Sequence, residues 1–323
     1  MLRKKILHIE NLQAAYARDA KRLEAVRGVD ISVFESEIVG IVGESGCGKS
    51  TVAKSILRLF PEQCAVSADA MAFAGVDLLT AGDKDMRKLR GRQMALVLQN
   101  AVTAFNPLRT VGSQIREILL RNGVERRCVK ATALRMLHDM GIDDPQHMFR
   151  QYPHQCSGGM LQRALLGAII ACRPRLIIAD EPTSSLDAAI QIHILCLLKN
   201  MSMKEKISVI LITHDLKAAA SICDRIMIMY GGLIMEEGTT AEVFQKPRHP
   251  YTRALLNALP DISKANVQRL AAIEGLPPSI ENMPAGCPFA PRCSIAREKC
   301  RQEIPPLQKF ADGHNYRCPY AGV

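Results

Sequence analysis

The chain has 323 residues, 48% of them hydrophobic and 23% charged, and carries a formal charge of +10. That length suits one large domain or one domain with appendages, and the composition is that of a soluble globular protein. No run of about 18 uncharged apolar residues occurs, which argues against a membrane-spanning helix, and the opening MLRKKILHIENL, broken by His8 and Glu10, lacks the apolar core of a signal peptide. The basic residues are spread along the chain with only short clusters such as Arg87 to Arg92, and aromatic residues make up 4%. The surplus charge reads as a solvated surface with some attraction for anionic lipid, and the low aromatic content argues against a base-stacking surface.

In chain order, KILHIENL and VRGVDISVF alternate apolar and polar residues and predict strands. EIVGIVG is a fully apolar strand that runs into GESGCGKST. KSTVAKSILRLF then predicts a helix with Val52, Ile56 and Leu59 on one face. From about residue 100 to 153 the spacing is helical, and Gly123 and Gly141 suit C-terminal caps. RLIIAD and SVILIT are two further buried strands. Helices alternating with such strands give an α/β class with a mostly parallel sheet. After Gly238 the character changes: QKPRHPYTRALLNALP predicts a turn and a short helix, and EGLPPSIENMPAGCPFAPRC should be irregular. The expected organisation is a main domain over 1–238, a linker over 239–286 and a cysteine-rich tail over 287–323.

Gly43-x-x-x-x-Gly48-Lys49-Ser50 lies between a predicted strand and helix, the context a P-loop requires. Its glycines allow backbone N–H groups to point inward at an anion, and the helix start adds a positive dipole end. Lys49 can reach β- and γ-phosphates, and the Ser50 hydroxyl can ligate Mg²⁺. The expected ligand is a nucleoside triphosphate. Four apolar residues closing in Asp180 form the kind of strand that supplies the Mg²⁺ carboxylate in P-loop enzymes. The next residue, Glu181, can deprotonate an attacking water. SVILIT is followed by His214, a third polar station beyond a strand end, where open α/β sheets place ligands.

CSGGMLQR, Cys156 to Arg163, stands just before RLIIADEPTSSLD. This segment resembles the signature motif of ATP-binding cassette (ABC) ATPases, and the order of motifs is similar to that family from about residue 5 to 240. Physically, Ser157 suits an N-cap and the two glycines open a helix start, a second anion site. The resemblance implies a P-loop ABC fold: a RecA-like core with an antiparallel β subdomain, an α-helical subdomain and here a small cysteine-rich appendage. It implies two cassettes paired head to tail, each signature covering the ATP of its partner. It assigns ATP contacts to Tyr16 (stacked on adenine), Gly43, Ser45, Gly46, Cys47, Gly48, Lys49, Ser50, Thr51, Ser157, Gly158, Gly159 and Asp187. It assigns Mg²⁺ to Ser50, Gln99 and Asp180, and catalysis to Glu181, His214 and Gln99. Cys156, Leu161 and Ser185 depart from common family residues without removing a phosphate-contacting group.

LQNAVTAFNPLRTVGSQI and HPYTRALLNALP are similar to segments of the importers of dipeptides, oligopeptides and nickel. The implied partners are a second, related cassette subunit, two membrane permease subunits and an extracytoplasmic binding protein, with no nucleic acid. The implied place is the cytoplasmic face of the membrane, peripherally bound. The rival readings are nickel or another metal chelate as cargo, and a soluble ABC ATPase acting on nucleic acid or ribosomes. Of eleven cysteines, Cys287, Cys293, Cys300 and Cys318 crowd the last 37 residues with spacing C-x₅-C-x₆-C-x₁₇-C. Four thiolates can bind a [4Fe–4S] cluster or Zn²⁺, or remain free thiols. The tail resembles that of dipeptide-importer ATPases, some of which hold an iron–sulfur cluster. Cys47, inside the loop, would crowd the phosphates if alkylated.

Overall fold

The computed structural model describes residues 4–18, 21–61, 63–98, 101–183, 187–259, 273–310 and 312–321. In chain order its elements are β1 (Lys5–Arg18), β2 (Lys21–Phe34), β3 (Ile38–Val42), α1 (Lys49–Ile56), β4 (Cys64–Ser67), β5 (Ala70–Phe73) and β6 (Val76–Asp77). There follow α2 (Asp83–Leu89), β7 (Met94–Val97), α3 (Ala101–Ala104), α4 (Val111–Arg121), α5 (Val129–Asp139), α6 (Pro145–Arg150), α7 (Gly158–Ala171), β8 (Leu176–Asp180) and α8 (Ala188–Glu205). The chain continues with β9 (Ser208–Thr213), α9 (Leu216–Ile222), β10 (Arg225–Tyr230), β11 (Leu233–Thr239), α10 (Thr240–Gln245), α11 (Pro250–Asn257), α12 (Glu298–Gln302) and β12 (Asn315–Tyr316). They fall into two compact units, one of Met1–Lys4, Phe34–Ile38 and Thr80–Ile212, the other of Lys5–Val33, Val39–Leu79 and Thr213–Val323.

In the first unit β7, β8 and β9 run parallel, with Met94 opposite Leu176 and Leu176 opposite Ser208. Every residue of β8 and β9 is buried, as continuous apolar runs covered on both faces demand. The expected helical region is α3 to α6. In α4, Val111, Ile115 and Leu119 recur every four residues and are all buried. Thr110 caps it, its hydroxyl accepting from the Ser113 N–H at 3.3 Å. Gly123 and Gly141 follow α4 and α5 with φ of 87° and 70°, the C-terminal stops their sequence positions predict.

The second unit holds the antiparallel sheet β2-β1-β5-β6, with β4 also paired to β1. It also holds β10 parallel to residues Val39–Val42 of β3, and β11 antiparallel to β10. The tail returns to this sheet: β12 pairs with β11, Tyr316 opposite Glu236. One predicted helix is shorter than expected. The helix after the glycine loop stops at Ile56, and Leu59, assigned to its apolar face, is 44% exposed. The reason is a Schellman stop. Arg58 turns left-handed (φ 51°), the Leu59 N–H reaches the Lys54 carbonyl at 2.8 Å, and the Arg58 N–H reaches that of Ser55 at 3.0 Å.

Candidate functional site

The phosphate loop joins β3, buried throughout, to α1. Two of its glycines have no substitute. A Cβ at Gly43 would collide with the Met229 carbonyl oxygen, and one at Gly48 with that of Ala25. Gly48 also sits at φ 106°, outside the range of other L residues. Ser45, Gly46 and Ser50 are exposed, as groups that meet a ligand should be, and Thr51 is half-buried. Lys49 is only 6% exposed. Its ammonium donates to the Gly43 carbonyl at 2.8 Å and the Glu44 carbonyl at 2.9 Å, with the Cys47 sulfur at 3.7 Å. The loop's own carbonyls thus hold the charge at the mouth of the turn. Tyr16, on β1, is anchored by its hydroxyl, 3.2 Å from that of Thr51. Burial pushes the Cys47 thiol above its ordinary value, although Lys49 opposes this.

His214 follows β9 in the second unit and is exposed. Asp215 beside it caps α9, accepting from the Lys217 and Ala218 N–H groups at 2.8 and 3.1 Å. This fixes the turn that carries the histidine.

In the first unit Asp180 ends β8 and is 7% exposed. Glu181 takes φ 47°, a left-handed conformation unusual for glutamate. Its N–H donates to the Ile212 carbonyl at 2.8 Å, which keeps the residue beside the strand ends. Such strain clusters at functional positions. Ser157 caps α7, its hydroxyl accepting from the Met160 N–H at 3.2 Å. Ser157 and Gly158 are exposed, and a Cβ at Gly158 would meet nothing within 4 Å, so this helix start is open to a large ligand or a second chain. Asp187 caps α8 and is exposed. Gln99 and Ser185 lie outside the described residues.

Sequence reasoning missed three residues. Gln162, on α7, is 2% exposed and donates to the Pro182 carbonyl at 3.0 Å, tying the signature helix to the turn after Glu181. A lone glutamine on a helix gives no sequence signal. Tyr251, in the His-Pro-Tyr stretch, accepts the Glu44 N–H at 3.1 Å through its hydroxyl. His249 caps α11 by accepting the Tyr251 N–H at 3.0 Å, and its own N–H is held by the buried Glu236 carboxylate at 2.8 Å. That stretch is therefore a device for placing a phenol against the phosphate loop. The third is Arg292, whose guanidinium grips the Glu44 carboxylate.

The first unit also carries an open groove of about 640 Å³ lined by Arg109, Arg116, Glu117, Arg121, Arg126 and Phe149 among others. It lies in the helical stretch after residue 100. The four tail cysteines line one small cavity of about 20 Å³ in the second unit, with Phe289, Arg317 and Tyr320. Burial pushes the Cys287 thiol up to about 11 and raises those of Cys293 and Cys318. Among the described residues no group of three or more His, Cys, Asp or Glu side chains is gathered as metal ligands. The four cysteines thus share one cavity, but among the described residues they are not gathered into a metal-binding group. Among the described residues no helix is long and apolar enough to cross a membrane.

Residues 26–184 match the family described as "ABC transporter", and residues 235–300 match "Oligopeptide/dipeptide transporter, C-terminal region". The chain is 41% identical over 316 residues to the dipeptide transport ATP-binding protein DppD of Bacillus subtilis, covering 97% of this chain and 94% of that protein. It is 40% identical over 316 residues to the DppD protein of Escherichia coli, covering 98% and 96%. Among solved structures it is similar to a dimeric ATP-binding cassette in a post-hydrolysis state bound to ADP and Pi (24% identity, TM-score 0.65, 73% of this chain and 99% of that one). It is also similar to CbiO1 of Clostridium perfringens (23% identity, TM-score 0.63, 75% and 92%). These structures share its fold. With loop, strand ends and signature helix formed as described, and with relatives matched along nearly their whole length, the chain belongs to the ATP-binding cassette ATPases of ABC transporters.

Proposed function

We propose that this chain is the ATP-hydrolysing subunit of a peptide importer, and that di- or oligopeptides are its cargo. The observation that carries the cargo reading is the 41% identity to a dipeptide transport ATP-binding protein across 97% of the chain, His-Pro-Tyr stretch included. Two cassettes, this chain and a related one, sandwich two ATP molecules. The start of α7 at Ser157, Gly158 and Gly159 supplies N–H groups to the γ-phosphate held by the partner's loop. Tyr16 packs on adenine, and Gly43 to Thr51 hold the phosphates. Asp187 supports the paired state. Glu181 takes the proton of the attacking water, His214 contacts the γ-phosphate, and Gln99 orients the water.

Ser50, Asp180 and Gln99 are the residues that would hold Mg²⁺, whose charge would offset that developing on the phosphates. The donor chemistry suits it: a carboxylate and a hydroxyl are hard oxygen donors, few in number, as an ion that keeps waters and phosphate oxygens as its remaining ligands requires. The basic groove of Arg109, Arg116, Arg121 and Arg126 receives a permease subunit, and closure of the cassette pair moves it. An extracytoplasmic binding protein delivers the peptide, and the ATPase sits peripherally on the cytoplasmic face of the membrane. Co-purification with the permease, together with peptide-dependent growth that is lost on deletion of this chain and not restored by Glu181→Gln, tests the reading. Growth on the same peptides without the chain refutes the peptide cargo.

A second reading concerns the tail. Cys287, Cys293, Cys300 and Cys318 line one cavity, and the half-buried Arg317 beside them would offset the negative charge of four thiolates. These four residues would hold a [4Fe–4S] cluster, or Zn²⁺ in the alternative. A bound cluster would cross-link the tail and could carry one electron. Anaerobic purification followed by iron analysis and visible absorption decides it, a colourless and iron-free product removing the cluster.

A further inference from the structure

Glu44 is an awkward residue for a triphosphate site. It is the first variable position of the loop, its carboxylate is a like charge to the ligand, and its carbonyl is one of the two that hold the Lys49 ammonium. The structure answers the charge with a residue 248 positions away. Arg292 Nη1 donates to one Glu44 oxygen at 2.6 Å and Nη2 to the other at 3.1 Å, a bidentate pair with the arginine side chain 5% exposed. All five guanidinium N–H groups are used: Nη1 also donates to the Tyr230 hydroxyl at 3.1 Å, Nη2 to the Ile273 carbonyl at 3.3 Å and Nε to the Glu274 carbonyl at 3.0 Å. On the other side of the same residue, the Glu44 N–H is held by Tyr251. The backbone and the side chain of one loop residue are thus both gripped from the C-terminal region.

Arg292 does not hang on a free loop. It ends the short turn Ala290–Arg292, and its N–H donates to the Phe289 carbonyl at 3.0 Å. Phe289 packs against Tyr230 and Tyr251 with ring centroids 5.5 and 5.2 Å apart. Cys293 follows directly and lines the cysteine cavity.

We propose that Arg292 is a positioning residue for the ATPase reaction: it neutralises Glu44 and holds the phosphate loop so that Lys49 is set for the β- and γ-phosphates. A lysine could not take this place, because only a planar fork meets both carboxylate oxygens while serving three further acceptors. Without the guanidinium, the Glu44 carboxylate stands uncompensated at the triphosphate site, and the carbonyl that orients Lys49 loses its anchor.

The inference rests on the reading of residues 43–51 as the ATP site. The test measures binding of a fluorescent ATP analogue and phosphate release for wild type, Arg292→Ala, Arg292→Met, Glu44→Gln and the Arg292→Ala/Glu44→Gln double variant, at low and high KCl. Arg292→Met preserves the packing volume if the alanine variant folds poorly. The expected result is an affinity about tenfold weaker for both arginine variants, near the low end of what a charge-assisted pair contributes. High salt should shrink the loss in part, because the half-buried Glu44 carboxylate repels the ligand through a site that salt screens incompletely. Glu44→Gln in the Arg292→Ala background should restore at least about threefold of it, which a packing defect would not do. Arginine variants that bind within about twofold of wild type, or a loss that neither salt nor Glu44→Gln relieves, overturn the proposal while leaving the ATP site standing. A wild type that fails to bind overturns both.

Discussion

The two glycines Gly46 and Gly48 give a graded test of how the loop is built. Both have positive φ, 82° and 106°. A Cβ at Gly46 would meet nothing within 4 Å, so Gly46→Ala adds only the backbone cost, about 1–2 kcal/mol for a residue forced left-handed. At Gly48 the same methyl runs into the Ala25 carbonyl oxygen and lies 2.9 Å from the Met229 methyl carbon. The methionine end can swing away, but the carbonyl belongs to a strand and cannot. Gly48→Ala therefore adds an overpacking cost of about 1–3 kcal/mol to the backbone cost. Gly48 is also the N-cap of α1, so the relief it forces moves Lys49 and Ser50 directly. The expected outcome is a modest fall in the urea midpoint with near-normal ATP affinity for Gly46→Ala, against a larger fall with lost ATP binding for Gly48→Ala. Circular dichroism in urea and analogue titration measure both. Equal midpoints and equal affinities for the two variants would refute the claim that the Ala25 carbonyl closes the loop from behind.

Glu181→Gln keeps shape and loses the carboxylate proposed as the base. Phosphate release should fall about 10²–10⁴-fold with ATP affinity within about threefold of wild type, as stopped-assay kinetics and titration would report. Ser157→Ala removes the cap of α7 and should cost about 1 kcal/mol in thermal or urea unfolding, with a larger effect on the concentration-dependent ATPase rate than on binding to the isolated chain. Cys47 is 6% exposed with a raised thiol, so maleimide at pH 7 should label the exposed Cys128 and Cys196 first and Cys47 last, as peptide mapping would show, with ATP slowing Cys47 further. His249 is buried and pushed down to about 3 by burial and by the Arg317 and Arg253 charges. Its unfolded value is about 6.5, so the unfolded chain binds the extra proton and the folded one does not. Its neutral form supports the fold fully above about pH 6.5, and that support fades as pH falls from there toward 3. In a variant with His249→Asn, which can still cap α11, urea midpoints should fall less steeply from pH 7 to 5 than in wild type.

The phosphate loop, both buried strands and the capped signature helix were legible because each has a local cause. A strand running into glycines, or a serine before two glycines at a helix start, leaves a pattern within ten residues. The glycine stops at 123 and 141 were readable for the same reason. The end of α1 was not. A Schellman stop with arginine in the left-handed position replaces the usual glycine, so the apolar spacing continued past the true end to Leu59. Gln162 escaped because its role is set by a neighbour twenty residues on, at Pro182. Arg292 and Tyr251 escaped because their partner, Glu44, is more than two hundred residues away and looks in sequence like an ordinary variable loop position.

That separation has a consequence for how the C-terminal region is understood. The His-Pro-Tyr stretch and CPFAPRC each place one side chain on Glu44, and they do so from elements that brace one another. Tyr251, Phe289 and Tyr230 share a ring cluster, Glu236 holds both the His249 N–H and the His314 ring, and β12 pairs with the strand that carries Glu236. A tail that only recognised a membrane partner would have no need to bury an arginine against the phosphate loop. An arginine that served the loop alone would not need to sit beside a cysteine of a four-thiol cavity. The arrangement makes both demands of the same turn, residues 287–293, whose backbone is closed by the Cys287 N–H on the Cys300 carbonyl at 2.8 Å. The turn that lines the cavity with Cys287 and Cys293 is thus the same turn whose Arg292 pairs with Glu44 in the glycine loop.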